Sequence, residues 1–413
     1  MPRRKDHFAT TADQRARGAG PATMRLHNER LLLGMLHSAG QLSAADLSRL
    51  TGLSAQAVSV ILRNLDEAGL ILRGAPLRGK IGQPSVPLTI NPDGAFVLGA
   101  KVGRRSAEIV LVGLDGRVRA HRWRPYGRPD PTDVLIWLEA TARELAATVP
   151  RVAGIGVALP FRLWDWAEEA QDGHAVLEGW RSLDLSAALS ALPFLVSVVN
   201  DGSAACAAEM TFGALPHGDD VIYLFLGTFI GGGLAQRGRL VLGPTGNAGA
   251  FGSVLVQGGA DKPRQLIEVA SLIGLERALQ GRGEDPRRFR MQQMAWNMAD
   301  PFLDDWLSQA ARGIAEALIS IAATTGAPLA IIDGAMPPAV LDTLIARVQA
   351  VIAHLPQAGI DAPGLRRGTL GARAPALGAA ALILNERFLA WPAELRRLDR
   401  HRPGLSDPAT STR

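Results

Sequence analysis

Two stretches of the 413-residue sequence carry residue types suited to chemistry, and the chemistries differ. One is GNAGAFGSV (246–254), which follows LGTFIGGG (226–233). Glycine has no side chain to hold a ligand off, so such loops let backbone wrap closely round a small molecule. Neither loop contains an acid, a base or a metal ligand. The other stretch, SAQAVSVILRNLDEAG (54–69), reads as a helix capped by Ser54. Ser54, Gln56, Ala57, Ser59 and Val60 stand near its start, with Arg63 further along. Gln56 suits bidentate reading of adenine, and Ser59 suits a contact with a base or a phosphate. Arg49, Arg63, Arg73, Arg78 and Lys80 supply cations for phosphates, which set affinity and salt dependence rather than sequence choice. The single cysteine, Cys206, excludes an internal disulfide and any multi-cysteine zinc site. Set among alanines, it reads as a small core residue rather than a nucleophile.

A base-reading helix needs a scaffold, and the flanking sequence offers one. RLHNERLLLGMLHSAG, from Arg25, puts Leu26, Arg30, Leu33 and Leu36–His37 on one helical stripe and stops at Gly40. Ser43 caps a second helix over 44–50, and Thr51-Gly52-Leu53 turns the chain into the reading helix, which runs to about Ala68. Leu47, Leu50, Leu53, Val58, Ile61, Leu62 and Leu65 form a shared core in the helix-turn-helix pattern. LILRGAPLRGKIGQPSVPLTI then reads as two short strands with a basic turn, a wing. In such a module the second helix enters the major groove. A helical packing or dimerisation module would share this pattern, but charge favours double-stranded DNA. Residues 1–80 hold 12 Lys/Arg against 6 Asp/Glu, whereas the rest hold 32 against 33. Residues 1–22 read as a disordered basic tail. No apolar run approaches the roughly 18 residues of a membrane span, and the polar start lacks a secretory signal. These features lead us to expect a cytoplasmic protein of two or three domains.

The glycine loops need a scaffold too. After the turn Asn91-Pro92-Asp93-Gly94, strand-like runs at 96–102, 107–114 and 117–123 are separated by Gly-Arg-Arg and Leu-Asp-Gly, which suggests hairpins. A helix over 131–148 and a strand over 152–160 follow, and a further buried run ends at Asn200-Asp201 before a helix of small residues. Hairpin, helix and strand then recur: 221–243, helices at 263–280 and 301–326, and a strand at 329–334. Two α/β halves facing a cleft are implied, with ligands at the carboxyl ends of strands.

Five segments together resemble the ROK family (repressor, open reading frame, kinase): VLEGWRSLDLSAAL (176–189), VVNDGSAACAAEMTFGA (198–214), residues 221–253, LIEVAS (266–271) and APALGAAALIL (374–384). The resemblance runs from about Arg25 to Leu384. It implies an α/β protein with a two-lobed actin-like (sugar kinase/ribonuclease H-like) body preceded by a small winged helix-turn-helix domain. The expected divisions are 23–90 for the DNA-binding domain, 95–214 for lobe one, 215–385 for lobe two with its last helix returning to lobe one, and 386–413 for a tail. The resemblance puts Asp201 at the family's general base and Asn200 and Glu268 at sugar-contacting positions. Thr228 and Ser253 add hydroxyls. Plainer roles are a helix cap for Asp201 and an exposed helix-face carboxylate for Glu268.

Departures from the family pattern decide the expectation about catalysis. Lys101 replaces the aspartate that helps organise magnesium, and Arg104-Arg105 stand where the first phosphate loop has glycine and threonine. Phe229 puts a ring where the second loop's backbone approaches phosphate. Only Gly334 remains of the adenine-side glycine pair. Ala250 and Ser253 replace the sugar-binding glutamate and the zinc-linked histidine, and QGGADKPRQ (257–265) stands in place of the zinc cysteines. Phosphoryl transfer rests on positioning and Mg²⁺, so no catalytic residue, metal or cofactor is expected. The implied function is a DNA-binding regulator, a repressor, that senses a sugar-like effector as a homodimer or homotetramer. An ATP-dependent sugar kinase and a ligand-independent DNA-binding dimer are the alternatives.

Overall fold

Caps and breakers set the first elements of the computed structural model, which describes residues 21–76, 86–166, 174–215, 219–259, 262–291 and 296–390. Helix α1 (Pro21–Ala39) ends where Gly40 takes φ +74°. After β1 (Leu42–Ser43), α2 (Ala44–Thr51) starts in a reciprocal cap: Ser43 Oγ accepts from Asp46 N–H at 3.1 Å, and Asp46 accepts from Ser43 N–H at 3.2 Å. Those hydrogen bonds hold the Asp46 carboxyl below its ordinary value. Gly52, at φ +71°, ends α2, and Ser54 caps α3 (Ala55–Glu67) through Ala57 N–H. Strands β2 (Ile71–Arg73) and β3 (Pro87–Ile90) pair antiparallel, and β1 joins them in the order β1-β3-β2. The wing tip, with Arg78 and Lys80, lies outside the described residues.

The body consists of two five-stranded sheets. Lobe one has strand order β6-β5-β4-β7-β8, from β4 (Phe96–Val102), β5 (Ser106–Gly113), β6 (Val118–Pro125), β7 (Val152–Leu159) and β8 (Leu195–Asn200). Helix α4 (Pro131–Ala146) and the shorter α5 (His174–Ser182) and α6 (Leu185–Ala188) belong to it. Helix α7 (Asp201–Phe212) leaves β8 directly. Lobe two has strand order β11-β10-β9-β14-β15, from β9 (Val221–Leu226), β10 (Ile230–Gln236), β11 (Arg239–Val241), β14 (Leu329–Gly334) and β15 (Gly364–Arg367). The two-residue strands β12 (Leu255–Val256) and β13 (Arg264–Gln265) pair with each other. Helices α8 (Leu266–Ala270), α9 (Leu272–Gly281), α10 (Arg288–Met291), α11 (Pro301–Thr325) and α12 (Pro338–Ile352) follow, and α13 (Ala374–Arg387) closes the body against β4, β7 and α7.

Two expectations fail for tertiary reasons. The single helix read over 263–280 is broken at Ser271, which takes extended angles (φ −83°, ψ 147°). There the backbone pairs with the β9–β10 turn instead: Ile273 N–H reaches Thr228 O, Leu272 N–H reaches Gly227 O, and Ser271 Oγ accepts from Ile230 N–H at 2.9 Å. Leu26, placed on one helical stripe with Leu33 and Leu36, is 61% exposed, whereas Leu33 and Leu36 are buried together with Leu31 and Leu32. Leu32, Leu33 and Leu36 join Leu47, Ile61, Leu65 and Leu88 of the amino-terminal domain to Val97, Val110, Leu377 and Leu384 of the body in one continuous core.

Residues 202–210 of α7 are buried all round, and their sequence, GSAACAAEM, is what permits it. The helix packs by backbone contact. A methyl group on Gly378 of α13 would overlap the Ala204 carbonyl, so these helices touch main chain to main chain. Glu209 of α7 accepts from Thr369 N–H and Oγ1 just before α13, and burial raises its carboxyl.

Candidate functional site

A cleft of about 950 Å³ lies between the lobes. Its floor is the β8–α7 junction. Asn200 caps α7, its Oδ1 accepting from Gly202 N–H at 2.9 Å and Ser203 N–H at 3.2 Å, and its Nδ2 donates to Asn247 Oδ1 at 3.4 Å. The cap assigned to Asp201 therefore belongs to Asn200, because the helix starts one residue earlier than that assignment requires. Asp201, at the first helical position, accepts from Gly202 N–H at 2.9 Å and faces the cleft. Desolvation raises its carboxyl, with Lys101, the Gly202 N–H and Arg104 opposing.

Thr228, Ser253, Asn247 and Gln265 line the same cleft. Glu268 does not: its carboxylate turns back onto its own helix and accepts from Gln265 N–H at 2.8 Å, as a third-position acid does in a capping box. The loop 246–254 keeps left-handed backbone at Gly246 (φ +71°) and Gly249 (φ +85°), which only glycine adopts without strain. The close approach of α7 to β10 also depends on missing side chains, since a Cβ on Gly202 would meet Gly232 N at 2.5 Å.

The other end of the cleft is occupied by the chain's own side chains. The turn after β4 is closed by Gly103 N–H to Ser106 O at 2.9 Å, and Tyr126 OH donates to Gly103 O at 2.5 Å. Arg104, 3% exposed, donates from Nη2 to Leu163 O at 2.6 Å and lies 4.5 Å over the Phe229 ring. Arg105 donates to Gly127 O at 3.2 Å and comes within 3.9 Å of Glu276 on α9. Lys101 Nζ sits 5.6 Å over the Phe225 ring. All three cations come from lobe one and meet partners on lobe two. Sequence reading singled out Arg104 and Phe229 separately and missed that they pair. Nothing local signals a contact between residues so far apart in the chain.

At the amino-terminal end, Val58, Ile61, Leu62 and Leu65 bury one face of α3, which leaves Gln56, Ser59, Val60 and Arg63 exposed on the other. Ser54 is exposed at the cap and Ala57 half-buried. Arg49 is paired with Asp46, and Arg73 with Asp66 at 2.6 Å. Exposed pairs of this kind are worth little and yield readily to phosphate. Beside its leucines in the shared core, helix α1 meets the body through two polar or aromatic contacts. Arg30 donates to the carbonyls of Asn385 and Leu389 (3.1 Å to the latter), and the His37 ring lies 6.3 Å from the ring of Phe212, the last residue of α7.

Among the described residues, no three His, Cys, Asp or Glu side chains converge to hold a metal, and no helix is long and apolar enough to cross a membrane.

Comparison with known proteins agrees with this architecture. The ROK family model matches residues 97–386, and a model of the MarR family matches residues 27–79. The chain is 24% identical to the xylose repressor of Bacillus subtilis (strain 168) over 236 residues, which is 55% of this chain and 60% of that one. It is 28% identical to the N-acetylmannosamine kinase of Escherichia coli O9:H4 (strain HS) over 272 residues, 63% of this chain and 89% of that one. A crystal structure of a ROK family transcriptional regulator, a homologue of the E. coli MLC protein, superposes with a TM-score of 0.64 at 21% identity, covering 91% of this chain and 98% of that one.

Proposed function

This chain belongs to the ROK family, and on that premise we propose that it is a transcription regulator, a repressor, whose body senses a sugar or related polar ligand without phosphorylating it. The observation that carries the reading is the path between the two ends of the molecule. Helix α7 begins at the cleft with Asn200 and Asp201 and ends at Phe212, against His37 of α1. Backbone packing against α13 makes the two helices move together, and α13 ends at the carbonyls that hold Arg30.

Ligand bound by Asn200, Asp201, Asn247, Thr228 and Ser253 would favour one closure of the lobes. Closure tilts α7 and α13, and the tilt moves α1 and the DNA-reading helix it carries. Such a shift requires a ligand with different affinities for the two states. A hollow of about 670 Å³ at the joint, lined by His37, Asp115, Phe212 and Asn385, leaves α1 room to move. In a dimer, the same movement would bring paired helices into or out of register with half-sites about one or two helical turns apart.

Two contacts support a non-catalytic body. The Arg104–Phe229 stack sets a guanidinium against a ring at the loops that in the family offer backbone to nucleotide phosphates, and Lys101 puts an ammonium at the position where the family organises magnesium. The relatives include kinases, so this is tested directly. Footprinting upstream of its own and neighbouring genes, with and without a panel of sugars and amino sugars, should reveal a protected inverted repeat that one class of ligand abolishes. ADP release over the same panel should stay at background. Turnover that Asp201→Asn abolishes would reverse the assignment in favour of a sugar kinase.

A further inference from the structure

The exposed face of α3 carries one large apolar side chain that neither the core nor the helix itself explains. Val60 is 50% exposed, between Gln56 and Ser59 on one side and Arg63 on the other. As a β-branched residue it is a poorer helix former than alanine, so helix stability does not account for it. Nor does packing, since the buried face of α3 is formed by Val58, Ile61, Leu62 and Leu65.

The surroundings are those of a surface that meets a polyanion. Arg49 and Arg73 flank the helix with partners they can exchange, Arg63 has no ion pair among the described residues, and residues 1–80 carry twice as many basic as acidic side chains. The one prominent apolar feature on the floor of the DNA major groove is the C5-methyl group of thymine.

We propose that Val60 is a specificity-determining residue that packs on a thymine methyl in each operator half-site. The inference rests on the reading of α3 as the DNA-recognition helix. Gln56, four residues earlier, lies about 6 Å away along the helix axis. With base steps of about 3.4 Å, the methyl lies within about two base pairs of the adenine that Gln56 reads. The half-site therefore has an A·T-containing core that is read by one bidentate amide and one apolar contact. The two signals differ in salt dependence. Arg63 acts on phosphate and weakens with ionic strength, whereas the Val60 contact is apolar and does not.

The test uses the full-length protein and duplexes it enriches from a randomised library. Each thymine of the enriched sequence is replaced in turn by deoxyuridine, which removes the methyl and leaves base pairing intact, and affinity is read by fluorescence anisotropy. The wild-type protein should lose about fourfold in affinity at one thymine per half-site, the worth of one buried methyl group. In Val60→Ala that loss should vanish while the salt dependence stays unchanged. Because Val60 is exposed, Val60→Ser serves as a second variant with the same expectation. Indifference of the wild-type protein at every thymine, or an equal penalty in Val60→Ala, would overturn the inference while leaving DNA binding intact. Failure to enrich any duplex would remove the DNA-binding reading itself.

Discussion

Substituting Gly378 by alanine tests the main-chain contact between α7 and α13, on which the proposed coupling depends. The added methyl would overlap the Ala204 carbonyl and come within 3.0 Å of its Cα. Because the obstacle is backbone, no rotamer change relieves it, and the two helices must part. Both lie in the core between the lobe-one sheet and β10, so the separation spreads into packing on either side. The expected cost is ~3 kcal/mol, the upper end of measured overpacking penalties. For a body of this size that corresponds to a fall in melting temperature of roughly 5 °C. Gly281 is the control: a methyl there meets nothing within 4 Å, so Gly281→Ala should be neutral or stabilise by up to ~1 kcal/mol. Thermal unfolding followed by circular dichroism compares the two variants directly. If Gly378→Ala melts with Gly281→Ala, the helices do not touch as described and the coupling argument fails with them. If it melts lower yet still folds at ambient temperature, its DNA binding should respond more weakly to ligand than that of the wild type.

Two further predictions concern the cleft. The stack of buried Arg104 on half-buried Phe229 should show a coupling energy of about 1–2 kcal/mol in a double-mutant cycle of Arg104→Ala and Phe229→Ala by urea unfolding, and additive single effects would refute it. Asp201 should make stability fall as pH rises. Burial lifts its carboxyl above the ordinary 3.8, so the native state holds the proton more tightly than the unfolded chain does. Stability is then lost from pH 3.8 up to the native value, and Asp201→Asn should abolish that decline and melt higher at neutral pH. A decline that persists unchanged in Asp201→Asn would assign it to other groups.

Local signals in the sequence located most elements of the structure, and long-range ones did not. Ser43, Ser54 and Gly52 announce helix ends because caps act within a few residues, and the glycines of 246–254 announce a left-handed loop because few other residues tolerate one. Of the two roles open to Glu268, the exposed helix-face carboxylate is the one that fits, and its spacing from Gln265 matches a capping box that competes locally for the carboxylate. The break at Ser271 had no local signal, since it exists to pair backbone with residues 227–230 on another element. Leu26 and Leu32 are equally apolar, and which of them is buried depends on where the body meets α1.

The core that runs without interruption from α3 through α1 into the lobe-one sheet bears on how such a protein can diversify. A DNA reader joined by a bare linker can be exchanged between sensors by recombination. Here a cut at the turn 91–94 would strip Leu32, Leu33 and Leu36 of the surface they pack on, and leave Leu377 and Leu384 facing water. A foreign reader would have to reproduce that surface to be accepted. Descendants of this chain can acquire new targets more readily by point changes on the exposed face of α3, where Gln56, Ser59, Val60 and Arg63 are free to vary without disturbing the interior.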